Sequence, residues 1–202
     1  MEAMRGVWRS VMQIGFYIDQ TRCTGCFTCI VACKDWNDVP AGSASWMRVA
    51  ILERGKYPDT FAAFLPTSCL HCDKPLCMDA CPADAIFKRK EDGVVLIDQE
   101  KCLGKENCSM FCKEACPYGA PQFRDEKNAK MEKCNFCIER WAKGQKPICV
   151  EACRTYALDA GPIDQLRSKY GDIRDAEGFV YSTEACPSVV LKTQGEKLNR
   201  KL

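Results

Sequence analysis

The chain has 202 residues, a formal charge of +2, 17 cysteines and 47% hydrophobic residues by a count that includes cysteine. That length allows one large domain or two small ones, and such cysteine usage leaves three chemistries: disulfides, zinc or iron–sulfur clusters. Near-neutrality without a basic stripe or aromatic platform sets nucleic acid aside, and no apolar run approaches the length of a membrane span.

Residues 1–13 read as a poorly determined arm, with Met4 and Met12 each a candidate alternative start. The opening MEAMRGVWRSVMQIGFYID has basic residues but neither an apolar h-region nor a twin arginine, so no signal peptide is expected. Gly15 to Asp19 reads as a short strand running into CTGCFTCIVAC at 23–33, a C-x2-C-x2-C-x3-C motif. Cys23, Cys26 and Cys29 recur every third residue, so a tight loop can turn three thiolates into one hollow. Cys33 follows at a helical offset and points elsewhere. Three ligands for one iron–sulfur cluster and a fourth for another is the signature of bacterial two-cluster ferredoxins. Lys34 to Asp38 ends a short helix, and 40–45 is a loop. Trp46 to Leu52 and Phe61 to Leu65 are strand-like, with a turn over 54–58.

The second group is Cys69, Cys72, Cys77 and Cys81, spaced C-x2-C-x4-C-x3-C and followed by Pro82. AIFKRKEDGVVLID then reads as a hairpin around Glu91-Asp92-Gly93, its charges a solvated tip rather than a docking patch. The third group is Cys102, Cys108, Cys112 and Cys116, followed by Pro117-Tyr118-Gly119. The fourth is Cys134, Cys137, Cys149 and Cys153, whose middle gap has room for a helical turn and a loop. Gly161-Pro162 opens a helix from Ile163 to Tyr170 that Gly171 ends. Residues 179–181 and 189–191 read as late strands, and the polar tail from Gln194 as a frayed end.

Disulfide frameworks suit short secreted chains, and this one is longer. Four-cysteine zinc sites come as spaced C-x2-C pairs, which C-x2-C-x2-C triplets do not suit. Sixteen of the seventeen cysteines fall into four groups of four, enough for four [4Fe-4S] clusters. At about −2 per oxidised cluster, four of them carry the +2 chain to about −6. Strand, cysteines, short helix, hairpin and cysteines recur. The expected fold is therefore α+β, a duplicated bacterial ferredoxin-like 2x[4Fe-4S] unit with short strands, short helices and long loops. Insertions at 34–68 and 135–148 make the repeat irregular. Metal ligation is itself folding energy in such chains. The crossing of each fourth ligand allows two pairings: first group with second and third with fourth, or a nested arrangement.

The motifs CTGCFTC, SCLHCDKPLC, CPYGAPQF, KCNFC, KPICVEAC and GPIDQLRSKYG, in this order, resemble the iron–sulfur (beta) subunit of the dimethyl sulfoxide reductase and polysulfide reductase family of molybdopterin oxidoreductases. Thiosulfate and nitrate reductases have similar subunits. The match runs from about Gly15 to Leu191. The resemblance implies nested pairing, with cluster a on Cys23, Cys26, Cys29 and Cys153, and cluster b on Cys33, Cys134, Cys137 and Cys149. Cluster c takes Cys69, Cys72, Cys77 and Cys116, and cluster d takes Cys81, Cys102, Cys108 and Cys112. It implies one module from 14–68 and 118–193 and a second, 69–117, inserted within it, with 194–202 as a tail. It also implies a partner, a catalytic subunit carrying a bis-molybdopterin molybdenum or tungsten centre, in a complex of anaerobic respiration. Relatives often add a membrane anchor that exchanges electrons with quinone. The implied location is cytoplasmic or peripheral to the cytoplasmic membrane, or beyond it where a signal-bearing partner carries the protein across.

Two features depart from that family. The third group is C-x5-C-x3-C-x3-C, so 103–107 forms a wider loop expected to admit water and backbone amides near cluster d. Arg154 follows Cys153 where proline is common, and either places a charge beside a cluster or faces solvent. His71, the single histidine, is expected to hydrogen-bond rather than ligate iron. Cys186 lies outside the groups and reads as a buried or free thiol. Trp36, Trp46, Trp141 and Tyr118 read as packing rather than electron stepping stones, and Pro82 and Pro117 as backbone-shaping. No nucleophile–base pair, phosphate loop or zinc-protease motif is present, so no residue is assigned a catalytic role. The leading expectation is an electron-transfer subunit of an oxidoreductase complex. The alternative is a free soluble polyferredoxin serving several enzymes.

Overall fold

The computed structural model describes residues 12–195. The expected arm over 1–13 and tail over 194–202 therefore lie mostly outside the described residues. Strand β1 (Ile14–Asp19) is buried along its whole length. It pairs antiparallel with β8 (Leu158–Pro162) and parallel with β9 (Val189–Lys192), so the sheet order is β8-β1-β9. The two faces of β1 divide by strand alternation. Ile14, Phe16 and Ile18 enter the main core. Tyr17 points the other way, against Ile163 and Leu166 of helix α6 (Ile163–Tyr170). Gly15 has no alternative here, because a Cβ would lie 2.2 Å from the Ser188 carbonyl oxygen.

Three hairpins decorate this sheet. β2 (Arg48–Lys56) and β3 (Asp59–Thr67) form the long one, β4 (Ile86–Lys88) and β5 (Val95–Ile97) the second, β6 (Gln122–Phe123) and β7 (Met131–Glu132) the third. The second is the hairpin expected over 85–98. β2 begins two residues after Trp46 and continues through Arg54 to Lys56, so the turn expected over 54–58 narrows to Tyr57-Pro58.

Four short helices follow one rule. Each carries the third cysteine of a group and points the chain at the fourth, one helical turn on. They are α1 (Thr28–Trp36) with Cys29 and Cys33, α2 (Leu76–Asp79) with Cys77, α3 (Phe111–Glu114) with Cys112, and α5 (Ile148–Glu151) with Cys149. The remaining short helix, α4 (Ile138–Trp141), is the helical turn expected in the 135–148 gap. α1 packs on α5, and α2 packs on α3. The fold thus brings group one against group four and group two against group three. α6 ends at Gly171 as expected.

One expected strand is not formed. Residues 179–181 hold only an isolated bridge between Ala176 and Phe179. Phe179 is drawn out of register to stack on Tyr118, with ring centroids 5.1 Å apart, and this leaves Val180 82% exposed.

Candidate iron–sulfur sites

All seventeen cysteines are free thiols. Cys23, Cys26, Cys29 and Cys153 line one hollow together with Val49, Pro66 and Leu158. Burial pushes the Cys29 thiol up to about 12, helped by Cys23, Cys153 and Cys26. Cys26 is the exception in this hollow: it is exposed, and hydrogen bonding from Thr28 lowers its pKa.

Cys81, Cys102, Cys108 and Cys112 line a second hollow, walled by Ile86, Ile97, Phe123 and Met131. Burial, then Cys108, Cys81 and Cys102, push the Cys112 thiol up to about 12.

The other eight group cysteines sit between these hollows. Burial and Cys137 push Cys33 up to about 11. Burial raises Cys149 well above the ordinary thiol range, reinforced by Cys134, Cys33 and Cys137. Cys72 is raised by burial and then by Cys69, Cys116 and Cys77. The structure thus places in mutual electrostatic reach the same sets of cysteines that the resemblance implied.

Do these residues suit iron–sulfur clusters? Buried thiols this reluctant to ionise become thiolates only beside a strongly positive group, which iron supplies. The backbone is also arranged for sulfur that carries charge. The amides of Ala85, Ala120 and Ala157 donate to Cys81, Cys116 and Cys153 Sγ at 3.4, 3.4 and 3.3 Å. In each turn the residue before the alanine is left-handed: Asp84 at φ 47°, Gly119 at φ 56° and Tyr156 at φ 53°. Phe136 N–H donates to Cys134 Sγ and Met131 N–H to Cys102 Sγ, both at 3.4 Å. Such amides stabilise thiolate and tune a cluster's potential. One zinc ion would need sulfurs about 3.8 Å apart. Among the described residues, no group of three or more His, Cys, Asp or Glu is spaced to hold a single metal ion.

Pro82 and Pro117 occupy the first position after the fourth cysteine, and Arg154 takes the same position in the third such turn. The turn forms without proline, and Arg154 faces solvent. His71 is fully buried, and its Nδ1 accepts a hydrogen bond from Val95 N–H at 3.1 Å. Burial, then the Lys133 charge, hold its pKa well below 6.5, so the ring is neutral. Cys186 donates its thiol to the Thr183 carbonyl at 3.1 Å and belongs to neither hollow. The aromatic residues pack: the Arg140 guanidinium lies 4.5 Å from the Trp36 ring centroid, and Trp141 meets Phe136 edge-on. The loop over 103–107 does not bulge into solvent. Lys105 N–H donates to the Ala129 carbonyl at 3.0 Å, and Lys105 Nζ to the Arg124 carbonyl at 2.8 Å. Sequence reasoning passed over the sulfur-facing amides of Ala85, Ala120 and Ala157, though an alanine four residues after three of the four last cysteines was a visible signal. It also passed over Lys133.

Fold and thiol arrangement define a ferredoxin-type carrier of [4Fe-4S] clusters. Two family models, both described as a 4Fe-4S dicluster domain, match residues 60–163 and 22–86. The sequence is 43% identical over 188 residues to the iron–sulfur subunit of anaerobic dimethyl sulfoxide reductase of Escherichia coli, covering 89% of this chain and 88% of that one. It is 38% identical to the thiosulfate reductase electron transfer subunit of Salmonella typhi, over 73% of this chain and 74% of that one. It is also 35% identical to the formate dehydrogenase iron-sulfur subunit of Wolinella succinogenes, over 78% and 85% respectively. This protein belongs to the family of iron–sulfur electron-transfer subunits that includes the one from anaerobic dimethyl sulfoxide reductase.

Proposed function

We propose that the protein carries four [4Fe-4S] clusters in the nested arrangement and relays electrons to or from a catalytic subunit with a molybdenum or tungsten bis-molybdopterin centre. The observation that carries this reading is the order in which the thiol sets touch. Cys149 feels the charge of Cys29, Cys134 that of Cys69, and Cys77 that of Cys112. These three contacts support a line running a, b, c, d. Each cluster, when bound, accepts and passes one electron. The cysteines would hold the iron, the Ala85, Ala120 and Ala157 amides would steady the sulfur charge, and the Phe16, Phe136 and Leu70 core would keep water from the middle of the line. The packing of α1 on α5 and of α2 on α3 supports the division into modules 14–68 with 118–193, and 69–117.

The reading as a free polyferredoxin has less support. A carrier needs only the cluster loops, and the β2–β3 hairpin adds an arm with Ile51 and Tyr57 exposed. No helix among the described residues is long and apolar enough to cross a membrane, so an anchor would be sought in a separate polypeptide. Anaerobic purification under native conditions tests the reading. Co-elution with a large polypeptide containing molybdenum or tungsten is expected, and elution alone with a full complement of iron would overturn it in favour of the free carrier. Membrane fractionation of the same lysate reads the presence of an anchor.

A further inference from the structure

Cations sit at several of the thiol groups, but most are neutralised or half-exposed. Arg140, near Cys137, is paired with the Glu151 carboxylate. Lys34, near Cys33, is only half-buried and donates to the carbonyls of Pro40 and Ala44. Two others differ. Lys133 is 3% exposed, and its ammonium donates to the carbonyls of Val95 and Cys134. Arg48 donates through Nη2 to the Tyr118 carbonyl at 2.8 Å, inside the turn that wraps the Cys116 sulfur. Its Nε is buried without a partner. Neither cation meets a carboxylate among the described residues, although a buried cation normally has one. Lys133 opposes the upward push of burial on Cys77, and Arg48 does the same for Cys116.

We propose that Arg48 and Lys133 form a two-cation clamp whose missing counter-anion is the cluster held by Cys69, Cys72, Cys77 and Cys116. The clamp raises that cluster's reduction potential relative to its neighbours in the line. The physical reason is the sign of the added charge. Reduction adds one electron, supplied by an adjacent cluster, and no bond forms or breaks. The reduced cluster is more negative by one unit, and two buried positive charges favour it over the oxidised form in a medium of low dielectric. Arg48 and Lys133 are positioning charges here, not ligands. The clamp comes from different parts of the chain, Arg48 from the start of β2 and Lys133 from the segment after β7, so the cluster's potential depends on the two proposed modules being docked together.

This inference rests on the grouping proposed above, and the experiment separates the two. The holoprotein is titrated anaerobically, with the paramagnetic signal of each cluster followed. Cys72→Ser and Cys116→Ser first identify the signal of cluster c. If they perturb different signals, the grouping is wrong, and the clamp falls with it because its cations would then face different clusters. If they perturb the same signal, Arg48→Met and Lys133→Met should each weaken reduction of that cluster at least tenfold, about 59 mV for one electron. The signals of clusters a and d should stay in place, and Lys133→Arg should keep most of the potential. An unmoved cluster c midpoint in variants with full iron and sulfide overturns the proposal, as does an equal shift of all four midpoints. Should Lys133→Met fail to assemble, Arg48→Met at its half-buried site decides alone.

Discussion

Cys134 and Cys69 lie within each other's electrostatic field, although one belongs to the fourth cysteine group and the other to the second. Burial is the larger influence on Cys134, but the Cys69 contribution locates the seam where the two thiol arrays meet. His71 and Phe136 close that seam, their rings edge-on with centroids 5.5 Å apart. An electron crossing the protein has this as its narrowest packed barrier, because both side chains are fully buried.

The iron content follows from the four groups. Reconstituted protein should hold about sixteen iron and sixteen acid-labile sulfide per chain, four of each for every cluster. Chemical analysis at saturation that found only half of this would show that two of the groups do not hold cubanes.

The pairing has its own test. Cys23→Ser and Cys153→Ser should disturb one and the same paramagnetic signal, since both thiols push up the pKa of Cys29 in their shared hollow. Cys81→Ser should disturb a different one. If Cys23→Ser and Cys81→Ser acted on a common signal, the sequential pairing of groups one and two would hold instead.

What could be read from the residues, and what could not, divides along physical lines. Cysteine spacing exposes ligand groups because the ligands must lie close together in the loop, and the strand before Cys23 and the helix before Gly171 carry ordinary local signals. The pairing is not local. It depends on α1 meeting α5, and the crossing of each fourth ligand is satisfied equally by two arrangements. β6 and β7 are two residues each and have no periodicity to detect. β8 reads LDAGP, a composition that suggests a turn, and is a strand only because β1 offers it an edge. Phe179 to Tyr181 fails as a strand for the opposite reason, since no edge is free beside it. Lys133 looks like a surface lysine in KCNFC, and only the fold buries it.

Asp159 should be the main electrostatic tie between β8 and α6. Burial pushes its carboxyl up, but the Tyr170 hydroxyl at 2.7 Å, the Lys146 ammonium and the Ala160 amide outweigh burial and hold the pKa at about 2, below the ordinary 3.8. A depressed carboxyl contributes stability that is full above 3.8 and lost as pH falls towards 2. Asp159→Asn should therefore cost about 1–2 kcal/mol at neutral pH, a fall of roughly 3–6 °C in Tm. The gap should stay constant between about pH 5 and 8, because both pKa values lie below that window. Thermal melts of the two proteins check this, and a gap that widened steadily on acidification through that window would contradict it.

The odd third group leads to the last prediction. Gly104 sits at φ 83° in the extra loop, and a Cβ there would lie 2.3 Å from Asn128 Oδ1 and 2.5 Å from the Asn128 carbonyl oxygen. The side chain could swing away, but the backbone oxygen could not. Gly104→Ala must therefore displace the loop, at about 1–2 kcal/mol for the left-handed conformation alone. The Gly104 carbonyl lies 3.3 Å from Cys108 Sγ, so the displacement reaches a cluster ligand directly. Asn128 Nδ2 and Asn107 Nδ2 both donate to the Leu103 carbonyl, and they hold the loop against 124–129 rather than leaving it free to absorb the change. Hydrogen bonding and exposure at the sulfur set cluster potential. The midpoint of the cluster on Cys81, Cys102, Cys108 and Cys112 should therefore move, and the other three should not. The cluster itself should remain four-iron, since all four thiols line the same hollow. Redox titration of Gly104→Ala, and of a variant with 103–107 shortened and every cysteine kept, gives the answer. Four unchanged midpoints would make the loop a passive insertion.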